Sequence, residues 1–284
     1  MPFLAVILLL VSASLHTTWN FLLKGTRDIM PATWWVVVIG SGLSLLALPF
    51  TGLPPRHVWH LAALSILTEA LYFILLARAY SEHDFSLVYP LARGAAPAFL
   101  LVWSWLFLGE LPTKGGWFGL SLIIFGLLLN GVGGLHMSRT GSLQLKGFAS
   151  ALLIALLIST YTLIDGAAVK RTQILPYALA VFALIPLPIT PFILRRYGWE
   201  RLKFVWNQYH PGLVLIGFLG VAAYLFALWA YAIAPLNYSG AIREVTVVMG
   251  AFVGWRFLGE KIGALRLIGA LAIFMGILLI AAFA

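Results

Sequence analysis

Residues 91–110 read LARGAAPAFLLVWSWLFLGE, and residues 241–260 read AIREVTVVMGAFVGWRFLGE. An offset of 150 lays Arg93 on Arg243, Trp105 on Trp255, and the FLGE at 107–110 on the FLGE at 257–260. The same offset pairs Gly119 with Gly269 and Gly126 with Gly276, and a one-residue shift pairs Ala79-Tyr80 with Ala230-Tyr231. Two apolar segments share Leu and Ala by chance. They do not readily share an arginine inside the segment and a four-residue FLGE. The chain is read as an internal repeat.

The rest of the sequence says what is repeated. Of 284 residues, 62% are hydrophobic and 10% charged, against about 25% charged in an ordinary soluble domain. A soluble globule has nowhere to put that much apolar surface. This excludes soluble enzymes, nucleic-acid-binding domains and disordered chains. The net charge of +9 comes from Lys and Arg scattered among long apolar runs, which fits orientation in a membrane better than polyanion binding. With no Cys, disulfides, thiolate metal sites and cysteine nucleophiles are excluded.

Ten stretches approach the ~20 apolar residues that cross a bilayer: about 3–23, 31–50, 58–79, 86–108, 113–133, 147–168, 174–194, 211–233, 238–257 and 264–283. The runs are continuous rather than alternating, so helices are expected, not a barrel. The longest connections fall near 134–146 and 195–210. The opening MPFLAVILLLVSAS has no basic flank and runs on to Leu23, so it is read as a first span rather than a cleaved leader. Five spans per repeat is an odd number, so the two copies enter the membrane in opposite directions. The expected architecture is all-α: ten transmembrane helices as two inverted five-helix repeats, 1–134 and 147–284, with a linker at 135–146. Inverted repeats place a site between the halves, near the midplane.

These features carry a family resemblance. Ten spans, a five-plus-five repeat and GE closing the fourth and ninth spans resemble the EamA branch of the drug/metabolite transporter superfamily. His16-Thr17-Thr18-Trp19-Asn20 with Lys24 is similar to an HAxWNxxxK signature of one EamA subgroup, with Thr17 where Ala is usual. YPLARG at 89–94 and AIRE at 241–244 resemble the same subgroup. The resemblance implies a transporter and leaves its substrate open, since the superfamily carries amino acids, nucleotide sugars, sugar phosphates, cations and drugs.

An ionisable group at the centre of a span costs roughly 2.5–3.5 kcal/mol on insertion scales. Glu69, Arg93, Asp165, Arg243 and Glu244 all lie well inside expected spans, with Lys24 at an end. Arg93 and Arg243 occupy matching places in the two repeats, where an anionic carboxylate or phosphate would be held. Glu69, Asp165 and Glu244 are the candidates for an amine or a coupling proton. His16, Asn20 and Lys24 form an i, i+4, i+8 stripe on the first span, with Lys24 snorkelling to the interface. Trp19, Tyr72, Tyr89, Tyr161, Trp229 and Tyr231 complete the candidate substrate-binding set, Tyr224 being a further aromatic of the eighth span. Trp34, Trp35, Trp59, Trp117, Trp199 and Trp206 lie near span ends and are expected in interfacial belts. Gly115/Gly119 and Gly250/Gly254 are GxxxG pairs that suggest close helix contacts. Glu110 and Glu260 are read as caps on their turns, not as ligands. No second His or carboxylate stands at ligand spacing from His16, so no metal is expected, and no phosphate loop, nucleophile elbow or dinucleotide fingerprint is present. No catalytic residue and no cofactor is assigned.

The expected function is secondary, non-ATP transport by alternating access. The substrate is a small polar or amphipathic metabolite, such as an amino acid or a phosphorylated or phosphonate compound. A drug or organic-cation exporter is the first alternative; a lipid-modifying membrane enzyme or a scramblase fits less well. The expected partners are the small molecule, a proton and membrane lipids, with no nucleic acid. A monomer suffices for the pathway, and a dimer is compatible with it. The bacterial inner membrane is the expected location. The termini side of the ladder carries Arg56, Lys114, Lys170 and Arg171, while twelve Lys and Arg lie on the other. The positive-inside rule then puts both termini outside, against the cytoplasmic termini more usual in the superfamily.

Overall fold

The computed structural model describes residues 1–82, 85–135, 144–258 and 264–283. Every regular element among them is helical: α1 (Phe3–Lys24), α2 (Ile29–Thr51), α3 (Trp59–Glu82), α4 (Phe85–Leu108), α5 (Lys114–Leu135), α6 (Gln144–Val169), α7 (Ile174–Leu184), α8 (Pro186–Ile233), α9 (Leu236–Arg243), α10 (Val245–Leu258) and α11 (Ala264–Phe283), with one 3-10 turn at Arg56–Val58. Hydrocarbon offers no partner for a backbone N–H or C=O, and a helix satisfies them internally. Five segments are long and apolar enough to cross a membrane: Phe3–Leu23, Ile29–Thr51, Arg56–Leu76, Lys146–Val169 and Ile174–Ile233. Ala92–Leu108, Lys114–Leu129 and Leu267–Phe283 are shorter apolar helices. The chain is an integral, multi-pass membrane protein. Its outer surface bears exposed Leu46, Phe50, Phe107 and Phe118, as a lipid-facing surface does.

One expected connection and one expected span look different in the fold. The stretch 195–210, expected as a long connection, is helical and interrupted only at Gly198, whose φ of 71° and ψ of 161° break α8 in two. It is helical because it has something to pack on. Leu202 and Val205 are fully buried, Trp35 Nε1 donates to the Leu202 carbonyl at 2.8 Å, and Arg201 makes a fork onto both Asp28 oxygens at 2.7 Å. The expected span 238–257 is in turn divided at Glu244, where ψ falls to 0° and α9 gives way to α10.

The packing shows which helices of the two copies face each other. A β-carbon added to Gly119 would stand 2.9 Å from the Gly276 carbonyl and 2.6 Å from Ile280, and one on Gly126 would stand 2.5 Å from the Gly269 carbonyl. Gly115 abuts Phe283. Position rises along α5 as it falls along α11, so the two helices run antiparallel, backbone against backbone. The same reversal relates α2 to α7 and the start of α8: Ser41 Oγ donates to the Ala183 carbonyl at 2.7 Å, and Trp34 Nε1 to Thr190 Oγ1 at 3.0 Å. Trp34 is therefore a buried packing residue rather than a member of an interfacial belt. The remaining contacts exchange in the same way. α4 packs on α6 as α1 packs on α9 and α10, and α3 packs on α6 as α1 packs on α8.

Small residues let TM helices approach this closely, and each lost contact is van der Waals. Gly119→Ala and Gly126→Ala should each lower stability by about 1–3 kcal/mol through overpacking. Gly42 faces open space, so Gly42→Ala should be neutral or mildly stabilising. Thermal unfolding in detergent, followed by size-exclusion chromatography, checks all three.

Candidate functional site

α4, α6, α8 and α9 converge on a polar centre within the apolar slab. Arg93 comes from α4 and is buried. One guanidinium nitrogen lies 3.2 Å from Glu244 Oε1, and another lies 3.0 Å from His16 Nε2 on α1. A guanidinium only donates, so Nε2 is the acceptor in this contact. Glu244 sits at the break between α9 and α10, where its backbone N–H bonds the Ala241 carbonyl at 3.2 Å. The ion pair joins the first copy of the repeat to the second.

Arg243, the neighbour of Glu244, points elsewhere. It donates to Tyr231 OH of α8 at 3.0 Å, and its Nε is buried without a partner. Neighbouring residues on a helix point ~100° apart, and here each reaches a different protein partner.

Asp165 of α6 is held by hydroxyls. Ser65 donates to Oδ1 at 2.6 Å, Tyr177 to Oδ1 at 2.8 Å, and Tyr224 to Oδ2 at 2.9 Å. Three O–H donors from α3, α7 and α8 thus satisfy one buried carboxylate. Glu69 lies one turn beyond Ser65 on α3, 91% buried by the complement of its 9% exposure, with Oε1 unpartnered. Glu244 Oε2 is unpartnered as well.

Arg93, Arg243, Glu244, Tyr231, Pro97 and Thr162 line a cavity together with Ala96, Leu100, Ile158, Ser159 and Gly240. Its free space of about 10 Å³ is that of a single water. In this conformation the cavity is too small to admit a metabolite.

The other candidates lie around this centre. Tyr72 and Tyr161 meet ring to ring at 5.9 Å. Trp19 packs edge-on against His16 at 5.0 Å, and Trp229 packs against Phe226. Asn20 turns its amide back to the His16 carbonyl at 2.8 Å. The side chains of Tyr89 and Lys24, and all of Glu260, lie outside the described residues. Sequence reasoning passed over Ser65 and Tyr177. Ser65 was within reach, since it precedes Glu69 by four residues on one helix face. Tyr177 sits in a stretch whose apolar run hides it. Gly250 faces open space rather than a neighbouring helix.

Glu244→Ala leaves the Arg93 charge buried with His16 as its remaining partner among these contacts. It should cost about 3–5 kcal/mol. The double change Arg93→Met with Glu244→Leu removes both charges and should recover most of that loss. Chemical unfolding in detergent of both variants beside the parent reads the difference.

Residues 3–132 and 145–282 each match the EamA-like transporter family. No curated protein matches the chain. A solved crystal structure of a protein aligns over 99% of this chain and 97% of its own, at a TM-score of 0.78 and 15% identity, a likeness of fold. With both copies of the repeat matched over nearly its whole length, the chain belongs to the EamA-like transporter family.

Proposed function

We propose that the chain is a ten-span secondary transporter built from inverted repeats, 1–134 and 147–284, which carries a small metabolite bearing an anionic group. Its preferred substrate also carries an amine, as an amino acid does; a phosphorylated or phosphonate compound is the other form of the same class. The observation that supports this reading is the pair of buried, unpartnered polar atoms on residues that line one small cavity, Arg243 Nε and Glu244 Oε2, with a third such atom, Glu69 Oε1, on α3. Leaving a buried donor or acceptor unmet costs about 1–3 kcal/mol. A donor and an acceptor left open at one cavity suit a ligand with both signs of charge.

The residues divide the work. Arg243 has an open donor edge and takes the anion. Arg93, engaged by Glu244 and His16, supplies the opposite wall and gains the substrate when Glu244 lets go. Glu69 takes the ammonium group or a proton. Asp165, already saturated by three hydroxyls, holds α3, α6, α7 and α8 in register. The aromatic pair Tyr72 and Tyr161 gives the organic part of the substrate an apolar face. Alternating access follows from the antiparallel relation of α5 to α11 and of α2 to α7, which supports two oppositely oriented halves rocking about one site. Membrane lipids surround the chain, no nucleic acid is involved, and one chain holds the whole pathway. The bacterial inner membrane, with both termini outside, is the location consistent with the Lys and Arg distribution.

Uptake into liposomes of a labelled panel comprising amino acids, phosphonates, sugar phosphates and organic cations tests the substrate class. Arg243→Lys replaces a fork by a point charge and should cut uptake of the anionic substrate at least tenfold with unfolding midpoint unchanged. Uptake confined to organic cations, or an Arg243→Lys variant as fast as the parent, overturns the reading. For orientation, a phosphatase fused after Ala284 should be active and a fluorescent protein at the same place dark.

A further inference from the structure

Glu110, the residue that closes the first FLGE, does more than cap its own turn. Its Oε2 accepts the backbone N–H groups of Leu236 at 2.6 Å and Asn237 at 3.3 Å, the first residues of α9. Its Oε1 pairs with Lys170, just beyond α6. A carboxylate at a helix N-terminus meets both free N–H groups and the positive end of the helix dipole. Next to it, the Thr113 N–H donates to Tyr238 OH at 2.8 Å, and Thr113 Oγ1 donates to the Phe283 carbonyl at 3.0 Å. The turn between α4 and α5 is thereby tied to α9, to the end of α6 and to the end of α11.

This knot stands at one end of the cavity. Going from Arg93 and Leu100 along α4 leads to Glu110. Going from Thr162 along α6 leads to Lys170. Going back from Arg243 and Gly240 along α9 leads to Leu236. Between cavity and knot the path is plugged: Leu100 presses on Gly240, and Leu236 on Gly166, where an added β-carbon would lie 2.6 Å from it. We infer that Glu110 and Lys170 form the latch of a gate that closes the cavity toward the face carrying Phe283, and that Glu110 is a positioning residue acting through α9 on Arg243. The inference rests on the cavity being the transport site. Opening that face requires Gly240 to leave Leu100 and Leu236 to leave Gly166, which α9 cannot do while its N-terminus is held by the carboxylate.

The chain contains no cysteine, so a single reporter can be placed cleanly. Thr162 lines the cavity and is 4% exposed. The probe is a membrane-impermeant maleimide applied to Thr162→Cys in liposomes, from the Phe283 face and from the opposite face in turn. Glu110→Gln in that background should raise labelling from the Phe283 face roughly tenfold, the scale of one charge-assisted bond lost. Lys170→Gln, which removes a partly exposed ion pair and leaves the bonds to Leu236 and Asn237, should raise it about two- to fourfold. Should Glu110→Gln fail to fold by size exclusion, the Lys170→Gln result decides. Unchanged rates in the folded variants, or an equal rise from both faces, overturn the latch. The labelling needs no substrate, so its outcome is read separately from the uptake panel: a latch that opens on schedule in a protein that moves none of the panel counts against the proposed substrates, not against the gate.

Discussion

An arginine in the middle of a hydrocarbon slab must bring its counter-charge with it, and in this chain the counter-charge comes from the other copy of the repeat. Arg93 and Glu244 meet at 3.2 Å, one on α4 and the other at the α9–α10 break. Taking either partner out of water alone costs several kcal/mol. Neither half is therefore complete without the other at this depth. At the break that follows Arg243, Arg243 reaches Tyr231 and Glu244 reaches Arg93.

Along the α5–α11 seam the halves are joined by shape. The glycines of α5 and α11 bring backbone to backbone, and a side chain at Gly119, Gly126 or Gly276 has no room. Such a seam is stiff, because packed interiors tolerate little change in volume. The centre is joined by long side chains whose tips meet through single hydrogen bonds, and these exchange partners without moving backbone far. Movement between conformations is thus expected at α3, α4, α8 and α9, around a seam of α5 and α11 that stays closed.

Much of this was legible in the residues, and where it was not the reason is physical. The repeat was visible because an arginine and an FLGE are costly or unusual inside apolar segments, so their recurrence at one offset stands above the background of Leu and Ala. The pairing of Gly119 with Gly269 and Gly126 with Gly276 was also visible, yet the contacts cross over, Gly119 against Gly276 and Gly126 against Gly269. A linear alignment equates positions, and an antiparallel helix pair brings opposite ends together. Glu110 read as a cap, correctly in kind, but the helix it caps is α9, which no local pattern announces. The hydroxyl cage of Asp165 draws Ser65, Tyr177 and Tyr224 from three helices. Each of those residues is unremarkable in its own segment, since a tyrosine in a membrane helix is as apt to pack as to donate.

The polar centre contains a tension that bears on how such a protein moves. Asp165 has a donor on each oxygen, whereas Glu69, Glu244 and Arg243 each keep a buried atom unmet. At about 1–3 kcal/mol each, the three together approach the stability of a modest domain. On the proposed reading, the glycine seam, the Asp165 cage and the ties of Glu110 hold this conformation from outside the cavity. Anything that supplies partners to the three atoms, a ligand of mixed charge or water entering an opened end, removes the penalty from one conformation and not from the other. A ligand shifts a conformational equilibrium only by its differential affinity for the two states. On the reading proposed above, those unmet atoms are the source of that difference, and Asp165, held by three hydroxyls, is the fixed point against which it is exerted.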